Sequence, residues 1–112
     1  MANYQVVTPK QLAQAVFTVN YATVYTCPAV TKTYLKEFDI VNTTATVIYV
    51  YVSIVPAAGT AGASNALFYY NALPGYSTLQ WTGTQILEAG QTLQIKASAV
   101  GCAFTASGAE AV

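Results

Sequence analysis

The chain has 112 residues, with four Lys, four acidic residues, no Arg, no His and a formal net charge of zero. Charged residues make up 7% of it and hydrophobic residues 54%, where an ordinary soluble domain is about 25% charged. This balance argues against a nucleic-acid binder, which needs several clustered Lys or Arg contacts. Without His there is no Ser-His or Cys-His nucleophile pair and no His-based metal site.

The first eleven residues, with Tyr4, Val6 and Val7 ahead of Pro9, read as an extended arm before a domain over residues 12–112. They lack a basic segment followed by an apolar one, so no signal peptide is expected. Thr8 and Pro9 could open a helical turn through Gln14, as a cap followed by Pro at the first helical position. Period two then dominates the chain. Val16, Phe17 and Val19, then Val24 and Tyr25, suggest two short strands around Asn20-Tyr21. In the run from Lys32 to Asn42, Phe38 and Ile40 alternate with Glu37 and Asp39.

The apolar stretch Val47–Val55 is a β-branched and aromatic strand, nine residues against the roughly twenty of a membrane helix. Val47, Tyr49, Tyr51, Ser53 and Val55 share one face, and Ile48, Val50, Val52 and Ile54 the other. Both faces are mostly apolar, so both must be covered, the second by the chain's own loops or by a partner against Tyr49 and Tyr51. A small-residue loop follows Pro56, and Phe68-Tyr69-Tyr70 and Tyr76 to Trp81 flank the turn Leu73-Pro74-Gly75. Consecutive Phe68, Tyr69 and Tyr70 cannot share one side of a regular strand. Leu93, Ile95 and Ala97 alternate with Thr92, Gln94 and Lys96, and Cys102, Phe104 and Ala106 form a last strand before Gly108. Turn signals every 8–15 residues or so complete an all-β pattern of about eight strands.

Little chemistry remains. Cys27 and Cys102 read as buried, reduced thiols. Two distant Cys make a poor zinc site. Glu37 and Asp39, two apart on a strand, lie about 6.6–6.8 Å apart along the chain, near the spacing of an inverting glycosidase, but solvated acids beside Lys36 are the plainer account. No enzyme and no cofactor is therefore expected. The nine tyrosines, four phenylalanines and Trp81 are the remaining candidates, as core, as protein interface, or as a sugar platform.

The order of motifs resembles small β-sandwich proteins of tailed-phage virions. It runs through Leu12-Ala13-Gln14-Ala15, Thr23 to Ala29, Phe38 to Thr43, the Val-rich strand, the Gly-Ala loop, Ala66-Leu67 and Ile86 to Leu93. Size and arm look like the capsid decoration, or cement, proteins of short-tailed phages. The resemblance implies a jelly-roll-like antiparallel β-sandwich that binds the major capsid protein on the head exterior. It also implies a homodimer, or a homotrimer, made in the host cytoplasm, with no nucleic-acid or membrane partner. Exposure arguments assign partner contacts to Tyr4, Val6, Val7, Tyr49, Tyr51, Tyr69, Tyr70, Tyr76 and Trp81. The alternative is a tail- or fibre-associated carbohydrate-binding β-sandwich, with Trp81 and Tyr76 as the stacking platform.

Overall fold

Alternation of apolar and polar residues becomes strand wherever one face can be buried, and the computed structural model, which describes residues 6–112, contains eight such strands. They are β1 (Val7–Val16), β2 (Ala22–Thr26), β3 (Lys32–Asn42), β4 (Ile48–Val55), β5 (Ala66–Leu73), β6 (Thr78–Leu87), β7 (Thr92–Ala97) and β8 (Cys102–Ala111). A single 3-10 turn, Ala63–Asn65, interrupts the small-residue loop. Two four-stranded sheets form, with strand orders β1-β8-β3-β6 and β2-β7-β4-β5, and every pairing is antiparallel. This is a jelly roll. β1 with β8, β2 with β7, β3 with β6 and β4 with β5 are the rungs of one long hairpin, rolled so that β8 meets β3 and β7 meets β4.

The inner faces carry the alternation read from the sequence. Leu35, Phe38 and Ile40 of β3 and Phe104 and Ala106 of β8 face Ile48, Val50 and Val52 of β4 and Leu93, Ile95 and Ala97 of β7, all buried. Aromatic rings run through this core: Phe17 on Phe104 at 5.8 Å, Phe104 on Phe38 at 5.5 Å, and Phe38 on Phe68 at 5.2 Å. The result is a plate of 55 × 26 × 18 Å exposing 6005 Å², close to the area expected from the chain's mass.

Three local readings differ from the structure. The segment Thr8–Gln14 is strand, not helical turn, because β1 pairs with β8 from Val7↔Ala111 to Val16↔Ala103. Pro9 is tolerated there because β1 is an edge. The boundary expected between residues 11 and 12 falls inside β1, whose first half is paired like the second. Gly108 does not end the last strand: β8 continues to Ala111 between β1 and β3. Cys27 and Cys102 are both buried and unbonded.

Asn42, buried at the end of β3, holds one end of the plate together. Its amide donates to the carbonyls of Thr46 and Leu73 at 2.8 and 3.0 Å, and its Oδ1 accepts from the Thr44 N–H at 2.9 Å. The β5–β6 turn is thereby tied to the β3–β4 turn, and the Tyr76 N–H donates to the Thr44 carbonyl at 2.9 Å.

Candidate functional site

The outer face of the sheet β2-β7-β4-β5 is where the aromatic surplus collects. Tyr49 and Tyr51 stand outward on β4, alternating with buried Ile48, Val50 and Val52. Further along the same outward face Ser53 and Val55 are buried, and the 3-10 turn after β4 lies against that strand. The second coverage expected for this strand is thus met by its own loop at one end, and by tyrosines at the other.

Tyr69 and Tyr70 reach the same face together through a break in the alternation. The register of β5 on β4 jumps from Val50↔Asn71 to Val52↔Phe68, a bulge that leaves both tyrosines unpaired opposite Tyr51. Tyr70 adopts the left-handed region at φ 53°, a conformation costing about 1–2 kcal/mol for a non-glycine residue. Phe68 keeps the inward position and packs edge-on against Phe38. Tyr69 and Tyr70 remain 56% and 59% exposed. Strain of this kind persists where surrounding structure over-determines it, and such positions cluster at functional sites.

The rings form one continuous group. Tyr49 and Tyr70 stack in parallel with centroids 4.3 Å apart, Tyr69 meets Tyr51 edge-on at 5.1 Å, and Tyr21 meets Tyr51 edge-on at 6.3 Å. Lys96, directly opposite Tyr51 on β7, places its Nζ 4.9 Å from the Tyr51 ring centre and 5.3 Å from that of Tyr21. Each such cation–ring contact is worth about 0.5–1 kcal/mol at an exposed site. Burial under these neighbours pushes the Tyr51 phenol above its ordinary value, with the phenols of Tyr69, Tyr70 and Tyr21 adding to the effect. Among the described residues, Lys96 has no carboxylate within ion-pair distance, whereas Lys10 pairs with Glu110 and Lys32 with Glu88. The face is therefore apolar rings tipped with hydroxyls around one cation. It can stack, donate hydrogen bonds and receive a negative group.

The sequence-assigned contact residues divide accordingly. Tyr49, Tyr51, Tyr69 and Tyr70 are brought together. Val6 and Val7 are exposed at the start of β1, in the other sheet, and Tyr4 lies outside the described residues. Tyr76 is exposed in the β5–β6 turn with φ 53°. Trp81 turns inward on β6 and stacks on Phe38 at 5.1 Å and 17°, so the structure does not join it to Tyr76 as a sugar platform. Tyr21 and Lys96 were not singled out by sequence. The outward position of Lys96 in the β7 alternation was legible, but its pairing with Tyr51 is a matter of register between distant strands.

Glu37 and Asp39 share the outer face of the opposite sheet, across from Thr82 and Gln80. Among the described residues no group of three His, Cys, Asp or Glu side chains could hold a metal ion. An apolar cavity of about 370 Å³ opens at one end of the plate, lined by Val16, Phe17, Val100 and Cys102 among others.

No protein-family model matches the chain, and no curated protein matches it. A chain in the structure of infectious bursal disease virus Gx strain is similar in fold, with a TM-score of 0.50 at 13% sequence identity. The match covers 97% of the present chain and 33% of that one, so the present chain spans about a third of its length.

Proposed function

We propose that this chain is a non-enzymatic structural protein of a tailed-phage virion that decorates the capsid exterior and stabilises it by binding the major capsid protein. The observation that carries the reading is the five-tyrosine face with both Tyr69 and Tyr70 turned outward at a backbone cost. Tyrosine combines a large apolar ring, a polar tip and only two side-chain torsions, which suits an interface that must exclude water yet satisfy its rim. The shortage of charge leaves the chain without the usual defence against association. The jelly-roll likeness to a chain of a virus structure, at the level of fold, supports the same direction. The chain is a homo-oligomer in this reading, and no side chain is assigned a catalytic role.

The test uses the purified protein and phage capsids that lack it. Wild type is expected to co-sediment with the capsids and to raise their disruption temperature. The double variant Tyr69→Ser, Tyr70→Asn should weaken attachment by about tenfold or more, as loss of a central aromatic anchor does. Its own stability should change little. Relief of the left-handed tyrosine, about 1–2 kcal/mol, offsets the lost ring pairs at about 0.5–1.5 kcal/mol each. Absence of binding by wild type sinks the reading, and equal binding by the variant removes this face from it.

A second reading, a tail-associated carbohydrate-binding module, draws on the exposed Tyr69 and Tyr70 rings, on the same face as Tyr51 and its neighbour Lys96. A glycan array answered by wild type and lost in the same double variant would favour it.

A further inference from the structure

Each sheet ends in two edge strands, β1 and β6 in one and β2 and β5 in the other. An edge leaves backbone N–H and C=O groups free along one side, and proteins blunt it with Pro, Lys, bulges or a very short strand. Three edges here combine two or more such devices. β1 has Pro9, Lys10 and a bulge at Leu12. β2 is five residues long and bulged at Val24. β5 is broken twice in its register and contains left-handed Tyr70. β6 differs. Its ten residues, Thr-Leu-Gln-Trp-Thr-Gly-Thr-Gln-Ile-Leu, include no Pro and no charge, and among the described residues no strand lies on its outer side.

We propose that β6 pairs antiparallel with β6 of a second copy of this chain, about a two-fold axis at Thr82, joining two four-stranded sheets into one of eight. The inference rests on the homo-oligomer in the reading above and names the surface that makes it.

The register follows from which way the side chains point. Opposed residues in an antiparallel pair lie on the same face, so inward residues must meet inward ones. Leu79 and Trp81 pack toward the core. Gly83 lies under the Trp81 ring, since a Cβ there would come 3.1 Å from Trp81 Cζ2. Thr82 and Gln80, opposite Glu37 and Asp39, point outward. An axis at Thr82 sets Thr82 against Thr82, Trp81 against the glycine, and Gln80 against Thr84. Trp81 and Gln80 then face small residues, while Leu79 meets Gln85 and Thr78 meets Ile86. A threonine pair at the axis is itself a favourable cross-strand combination.

The two-fold register about Thr82 points to a second copy as the occupant, and charge does not oppose it. β6 meets itself with no like charges across the seam. The nearest acid, Glu37, lies one strand in from Thr82. Its counterpart in the dimer would be three strand spacings away, about 14 Å, beyond the screening length of about 8 Å at physiological salt.

The experiment is sedimentation equilibrium of the purified chain by itself, so its outcome is independent of whether the protein binds capsids. A dimer is expected. Thr82→Lys, on an exposed position, should raise its dissociation constant about tenfold or more with an unchanged far-ultraviolet circular dichroism spectrum, while Gln14→Lys on β1 should not. With oxidised glutathione, Thr82→Cys should give a covalent dimer, because Cα atoms opposed across an antiparallel pair, about 4.5–5.5 Å apart, lie within disulfide reach. Gln14→Cys should not, and the native thiols are buried. A monomer at the highest soluble concentration overturns the proposal. So does a dimer that survives Thr82→Lys and does not cross-link through Thr82→Cys.

Discussion

Glu110 sits near the end of β8, where its carboxylate accepts a hydrogen bond from the Tyr25 phenol of the opposite sheet and faces the Lys10 ammonium at 3.3 Å. Thr33 Oγ1 lies 2.7 Å from the same phenol oxygen and 3.2 Å from Cys27 Sγ. The Tyr25 bond first, then Lys10, holds the Glu110 carboxyl below its ordinary value of 4.5. Burial, reinforced by the bond to Glu110, pushes the Tyr25 phenol upward, so it remains a donor throughout the acid and neutral range. The folded chain holds the Glu110 proton less tightly than the unfolded chain. The resulting stabilisation is present above 4.5 and fades as pH falls through the lower folded value. Melting temperature should therefore drop as pH goes from about 5 to about 3. Glu110→Gln should be less stable than wild type at neutral pH and show a smaller drop; calorimetry across that range checks both. In the sequence, Glu110 reads as a tail residue, because its partner is 85 residues away and no local pattern links the two.

Within the sheet β1-β8-β3-β6 the bulges fall in a row. The extra residue Leu12 in β1 and the extra Lys36 in β3 both sit beside Ser107 of β8, and β6 is irregular opposite Lys36, whose Nζ donates to Thr84 Oγ1 at 2.7 Å. Gly108 is the next residue in this row. A Cβ on it would run into the Tyr34 carbonyl oxygen, with Leu12 Cδ1 3.2 Å away. Since the obstacle is backbone, Gly108→Ala must displace β3 from β8. The expected cost is about 1–3 kcal/mol, measured as a shift in the urea midpoint with unchanged slope. Elements were legible where burial imposed alternation, strictly in β7 and on either side of the Lys36 bulge in β3, whose bounds match the run read from Lys32 to Asn42. They were not legible where a residue that breaks local preference falls inside the strand. β1 carries Pro9 and a bulge, and β8 passes through Gly108, and in both cases pairing with neighbouring strands overrides local preference.

Across the whole molecule, Phe38 is the point where the sheets meet. It is fully buried and touches Trp81 of its own sheet, Phe68 of the other and Phe104 of its neighbour strand. Truncation to Ala should cost about 3–5 kcal/mol of a total stability of about 5–15 kcal/mol. Phe38→Leu should retain cooperative unfolding at reduced stability, whereas Phe38→Ala should unfold at a much lower denaturant midpoint. Phe38 was legible as core, as were Ile40, Leu93, Ile95 and Phe104, because alternation is written between residues two apart in the chain. By itself the sequence determined an all-β chain of about eight strands with few charges and an excess of tyrosine. Tertiary structure alone decided that Lys96 and Tyr21 join Tyr51, that Tyr69 and Tyr70 face outward together, and that Trp81 faces in. Those outcomes depend on cross-strand register and on how the long hairpin rolls, both set by packing between residues far apart in sequence.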